Sequence, residues 1–171
     1  NEIAKSQLLL EESATMENTL TRRAVVAGLS TTAIGVSFGA RAEIPVAIKV
    51  WKDPNCGCCT GWAEHLGRNG FVVTITDTAA MQEVKARLGV PRELASCHTA
   101  EVGGYVIEGH VPAHAIKRLI TEKSPGRGLA VPGMPIGSPG MEGGAPETYD
   151  VILFGEMTNK SFGRYTADQP V

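Results

Sequence analysis

Three of the four cysteines in this 171-residue chain, Cys56, Cys58 and Cys59, fall within the short stretch KVWKDPNCGCCTGW, Lys49 to Trp62. The fourth, Cys97, lies in ASCHT, Ala95 to Thr99. Crowded thiols suggest chemistry at a point rather than staples along a fold. Three chemistries fit the pattern. Purely structural disulfides are one, since four is an even number. However, a Cys58–Cys59 bridge would close a strained ring and Cys56–Cys58 is nearly as tight, leaving Cys56–Cys59 feasible and Cys97 free to pair with Cys58. A redox dithiol is the second, because Cys56 and Cys59 have Cys-x-x-Cys spacing. A soft-metal site is the third. Four thiols suit tetrahedral zinc, but structural zinc sites usually draw on two separated pairs. Thiolates and thioethers together select Cu(I).

Further soft or borderline donors lie downstream. Met134 in VPGMP and Met141 in SPGME occupy a turn-rich loop, where a methionine is either a thioether ligand or a plug beneath the loop. His98 adjoins Cys97. His110 and His114 flank the start of a helical segment, and either reaches the cysteines if the loop brings it near. His65 falls mid-helix and reads as a surface residue. No catalytic residue and no organic cofactor is assigned.

Alternation and β-branching make Val46–Trp51 a strand, and Asp53-Pro54-Asn55 is a turn or cap signal. A helix follows, with Trp62 and Leu66 on one face and Gly70 at its end. Cys58 and Cys59 then occupy its first turn, where free N–H groups favour thiolate, and Gly57 lets the backbone fold tightly between the thiols. FVVTITD is a second strand. Asp77 or Thr78 caps a second helix carrying Met81, Val84 and Leu88. EVGGYVIEG reads as a strand with a bend or bulge at Gly103-Gly104. VPAHAIKRLITEK is a third helix with Pro112 near its first turn. Pro125 to Pro146 is too rich in Gly and Pro for regular structure. YDVILFGE is a clear strand, and SFGRYTA a candidate partner for it. The result is an α/β, thioredoxin-like sandwich: a central mixed sheet, flanking helices and a long Gly/Pro-rich loop. In such a sheet Cys97 faces the first helix's N-terminus, where thioredoxins usually place a cis-proline.

The N-terminal region reads differently. Arg22 and Arg23 precede an uncharged run from Ala24 to Ala40, and Ala40-Arg41-Ala42 fits a signal-peptidase site. The Thr-Arg-Arg-x-Val-Val order resembles a twin-arginine signal. Residues 1–42 are therefore read as leader and signal peptide, cleaved after Ala42, with Met16 as the expected true start. Residues 43–171 form one metal-binding domain without a stable membrane span. All four cysteines lie in it, in an oxidising, periplasmic setting. The formal net charge is −2, and no basic run points to nucleic acid.

Three stretches carry a resemblance: DPNCGCCTGWAEHLGRNGFVV from Asp53, GVPRELASCHTAEVGGYVIEGHVPAHAIKRL from Gly89, and GLAVPGMPIGSPGME from Gly128. They closely resemble the periplasmic copper-resistance family called CopG, long catalogued as a domain of unknown function. The resemblance implies a thioredoxin-like fold and a cysteine-bridged cluster of several Cu(I) ions on Cys56, Cys58, Cys59 and Cys97. It implies a part in copper tolerance, by sequestering copper or by changing its oxidation state, with copper ions and other periplasmic copper-handling proteins as partners. A thiol–disulfide oxidoreductase using Cys56 and Cys59 is the alternative.

Overall fold

The structure, a computed structural model, describes residues 45–155 and 159–171. The leader, signal and start-site expectations on residues 1–42 lie outside the described residues. Strand β1 (Val46–Lys52) runs parallel to β2 (Phe71–Asp77), with Val46 opposite Phe71 and Lys52 opposite Asp77. Helix α1 (Gly57–Arg68) connects them. Helix α2 (Met81–Leu88) and a short 3-10 turn (Arg92–Leu94) lead to β3 (His98–Val102), antiparallel to β1. Strand β4 (Tyr105–Glu108) and helix α3 (Ala113–Glu122) follow. Then come β5 (Gly128–Ala130), β6 (Thr148–Phe154), β7 (Lys160–Thr166) and β8 (Gln169–Pro170). The sheet order is β2-β1-β3-β4-β5-β6-β7-β8, with β1–β2 and β4–β5 parallel and the other pairs antiparallel.

Strand alternation gives the sheet two apolar faces. Ile48, Val50, Ile107 and Leu129 pack with Trp62 and Leu66 of α1 and with Ile116 and Leu119 of α3. Trp51, Val106, Ala130 and Phe154 pack with Val84 and Leu88 of α2. The α/β class, mixed sheet, flanking helices and β6–β7 pairing match the sequence reading. Among the described residues no helix is long and apolar enough to cross a membrane.

Three expectations are corrected. The segment read as one bent strand is the hairpin β3–β4, because Gly103 and Gly104 both take positive φ (53° and 84°), which a two-residue turn of this twist requires. The Gly/Pro-rich segment does contain regular structure: β5 lies between β4 and β6. The first residue of β5 is a glycine because a Cβ on Gly128 would fall 1.7 Å from the Val106 carbonyl oxygen. Finally, α2 has no side-chain cap. Thr78 Oγ1 accepts from the Ala80 N–H before the helix starts (3.1 Å), and Asp77 pairs with Lys52 (3.2 Å).

Candidate metal centre

The first half of the site is local in sequence. Asp53 turns the chain: its Oδ1 accepts the Asn55 N–H at 2.8 Å and its carbonyl accepts the Cys56 N–H at 3.0 Å. Cys56 is the N-cap of α1, with extended backbone and no side-chain cap bond. Gly57 is the first helical residue, so Cys58 and Cys59 occupy the first turn as the spacing predicted. No acidic side chain lies in that turn. Its N–H groups and the helix dipole therefore act on the sulfurs. The expected role of Gly57 is corrected, since it is helical and a Cβ there would meet nothing within 4 Å.

The Sγ atoms of Cys56, Cys58, Cys59 and Cys97 all lie within 4.8 Å of one another. Cys56 and Cys59 are joined by a disulfide, the bridge the spacing made feasible, whereas Cys58 and Cys97 are free thiols. Cys58 Sγ lies 3.5 Å from Cys56 Sγ. Cys59 is fully buried and the other three are partly so.

The second half comes from the sheet. Cys97 immediately precedes β3, and its Sγ lies 3.3 Å from His98 Nδ1 and 3.2 Å from His110 Nε2. His110 Nδ1–H donates to the Pro139 carbonyl at 2.8 Å, which leaves the Nε2 lone pair facing Cys97. His98 is fully buried between Trp62 and His110, with ring centroids 4.2 and 5.0 Å away. Its Nε2 is buried without a hydrogen-bond partner among the described residues. Burial lowers the pKa of both imidazoles, and for His98 the charges of His110 and Lys85 push it further down. Both rings are neutral at neutral pH and offer lone pairs. Burial, with the neighbouring Cys58, raises the Cys97 thiol to about 11. Cys97, His98 and His110 form a second set of converging donors that shares Cys97 with the four sulfurs.

The Gly/Pro-rich loop closes over both halves. Gly140 has φ of 87°, and a Cβ there would fall 2.5 Å from the Cys58 carbonyl oxygen and 2.7 Å from the Trp62 nitrogen. The loop backbone thus lies directly on the first two turns of α1. Trp62 Nε1 in turn donates to the Val111 carbonyl (2.9 Å), tying α1 to the segment that carries His110. Ser96 Oγ donates to the Gly133 carbonyl at 2.7 Å, which brings the loop beside Cys97. Met134 is 54% exposed and Met141 is partly buried.

His65 is not a surface residue. It is buried, and its Nε2 accepts the Ala113 N–H (3.2 Å). His114 packs on Tyr165, ring centroids 5.0 Å apart. Neither joins the converging donors. The sequence reading missed a buried polar network behind Cys97, built from Lys85, Thr99 and Glu108. Its sequence signal was a glutamate ending the otherwise apolar run Tyr105–Ile107.

The family described as "Protein of unknown function, DUF411" matches residues 94–141, which span Cys97, both site histidines and the loop as far as Met141. No curated protein matches the chain. Two solved structures do. "Copper resistance protein copG- Form 2" is 47% identical, with a TM-score of 0.68, over 71% of this chain and 99% of that one. "Copper resistance protein copG- Form 1" is also 47% identical, with a TM-score of 0.67, over 71% of this chain and 98% of that one. Nearly half of the residues are thus shared across essentially the whole of those proteins, and the chain belongs to the CopG copper-resistance family.

Proposed function

We propose that the chain is a periplasmic copper-binding protein of copper resistance. It holds several Cu(I) ions in a cluster bridged by the thiolates of Cys56, Cys58, Cys59 and Cys97. The observation that carries this reading is the convergence of four sulfurs within 4.8 Å. One Cu(I) ion needs two or three ligands, and a thiolate has lone pairs enough to bridge two soft ions. His98 and His110 extend the donor set at the Cys97 end. Met134 and Met141 are the candidate thioethers on the loop. The element order, strand–helix–strand–helix–hairpin–helix, supports a thioredoxin-like reading of the fold.

Cys56 and Cys59 would ligate only in the reduced form, after a dithiol reductant has given their disulfide two electrons and two protons and become a disulfide itself. Cys97, a thiol at neutral pH, gives up its proton as copper arrives, so loading releases acid. Sequestration and a Cu(I)/Cu(II) redox role both fit these donors. Export fits the signal-like segment and predicts an exported form whose mass begins at Glu43. A form that retains Arg22 and Arg23 would contradict it.

A thiol–disulfide oxidoreductase is the second reading, favoured by the Cys56–Cys59 disulfide. Cys58→Ser separates the two, because it leaves that pair whole. Cu(I) titration of reduced protein, followed by metal analysis, should give more than one ion per chain for the wild type and fewer for Cys58→Ser. Full copper loading of Cys58→Ser would sink the cluster reading. Met134→Leu with Met141→Leu should weaken copper binding in the same titration, and unchanged binding would assign both residues to packing.

A further inference from the structure

Behind Cys97 lies an ion pair that takes no part in the donor set. Glu108 is fully buried at the end of β4, and Lys85 of α2 is 5% exposed. Glu108 Oε1 accepts from Lys85 Nζ at 2.5 Å and from the Ser96 backbone N–H at 2.6 Å, and Oε2 accepts from Thr99 Oγ1 at 2.7 Å. Lys85 Nζ also reaches Thr99 Oγ1 at 3.0 Å. One carboxylate therefore grips the chain on both sides of Cys97-His98.

Gly109 lets the grip close. It has φ of 72°, and a Cβ there would lie 2.7 Å from Ser96 Cβ and 2.5 Å from the Val131 carbonyl oxygen. Buried charge is costly to desolvate, and packing alone would hold a strand end with apolar residues. Hydrogen bonds to a charged acceptor fix position more firmly than neutral ones.

We infer that Glu108, held in place by Lys85, is the positioning residue for Cys97, fixing Ser96 and Thr99 so that the fourth sulfur stays among the other three. The copper consequence rests on the proposed function, whereas the placement of the thiol does not. Glu108 touches no metal donor itself and acts through the backbone on either side of one.

The test has two arms and two variants. Glu108→Gln keeps the shape and removes the charge. Lys85→Met with Glu108→Leu removes the pair together, which buried ion pairs often tolerate without loss of folding. In a Cys58→Ser background, with Cys56–Cys59 oxidised, Cys97 is the one free thiol. Its rate of alkylation by iodoacetamide, in protein with native circular dichroism, should rise about tenfold in either variant as the strand end opens more often.

In the second arm the chain with Cys58 restored is reduced and titrated with Cu(I). Either variant should lose as many ions as Cys97→Ser, and combining the variant with Cys97→Ser should lose no more. An unchanged alkylation rate, or additive copper loss in the combined variant, overturns the assignment. If the wild type binds no copper, the proposed function fails while the alkylation arm still decides the role of Glu108.

Discussion

The two halves of the metal centre are built in different ways. Cys56, Cys58 and Cys59 hang on a single turn and helix start, held by bonds between residues at most four apart. Cys97, His98 and His110 are placed by a hairpin, a loop and a helix drawn from across the fold. The helix half carries only sulfur and is partly open. The strand half mixes one sulfur with two buried imidazoles. A local motif keeps its geometry through most changes elsewhere, whereas an assembled one depends on every contact that assembles it. Changes that unseat the loop should therefore be felt most at Cys97 and His110.

Gly140→Ala should have the largest effect, because the loop's seat on α1 is where the two halves meet. The new Cβ would overlap two backbone atoms, at 2.5 and 2.7 Å, and the positive φ is strained for any side chain. Neither backbone can move aside as a side-chain tip would. A cost of about 3 kcal/mol follows, seen as a fall of roughly 10 °C in the melting temperature of metal-free protein. Loss of the Pro139 contact should also free His110. A melting temperature within a degree or so of wild type would mean that the loop is not seated as described.

Acid should separate the halves next. His98 and His110 have folded pKa values lowered from 6.5, with burial as the first cause. The unfolded chain therefore binds protons at these sites before the folded chain does. Stability from them is complete above about pH 6.5 and is lost as pH falls below it. His65 and His114 are lowered by burial as well and act in the same direction. His110→Gln keeps a donor for the Pro139 carbonyl and removes one titrating site. Between about pH 7 and about pH 5, its loss of stability in urea unfolding should be smaller than the wild type's, because the lowered His110 pKa no longer contributes. An equal loss would remove His110 from the acid-sensitive set.

The same division explains what the sequence revealed. Strand, turn and helix start around Cys56 follow from residue spacing, so the helix half was legible down to the first-turn positions. Cys97 was also legible, because a thioredoxin-like reading of the sequence puts the start of this strand beside the first helix. The partners of Cys97 were less so. His110 was named from its neighbourhood, but its bond to Pro139 spans a loop in which Gly and Pro hide any periodicity. Lys85 and Glu108 are 23 residues apart on different elements, and nothing in either local pattern pairs them. His65 read as exposed because a mid-helix histidine carries no sign of the Ala113 N–H that it accepts.

Gly57→Ala should have the smallest effect, and it sharpens the contrast from the other side. Between crowded thiols a glycine suggests a backbone that no other residue could follow. The structure removes that reason, because Gly57 is helical and the space beside its Cα is open. Alanine costs less backbone entropy than glycine in a helix. The variant should therefore match wild type or gain up to about 1 kcal/mol in urea unfolding, with the Cys56–Cys59 disulfide still forming. Set against Gly140→Ala, the same methyl group is then neutral or stabilising in the local half and disruptive where the halves meet. A large loss at Gly57 would mean that the helix half also depends on close packing from elsewhere, and the contrast between the halves would fail.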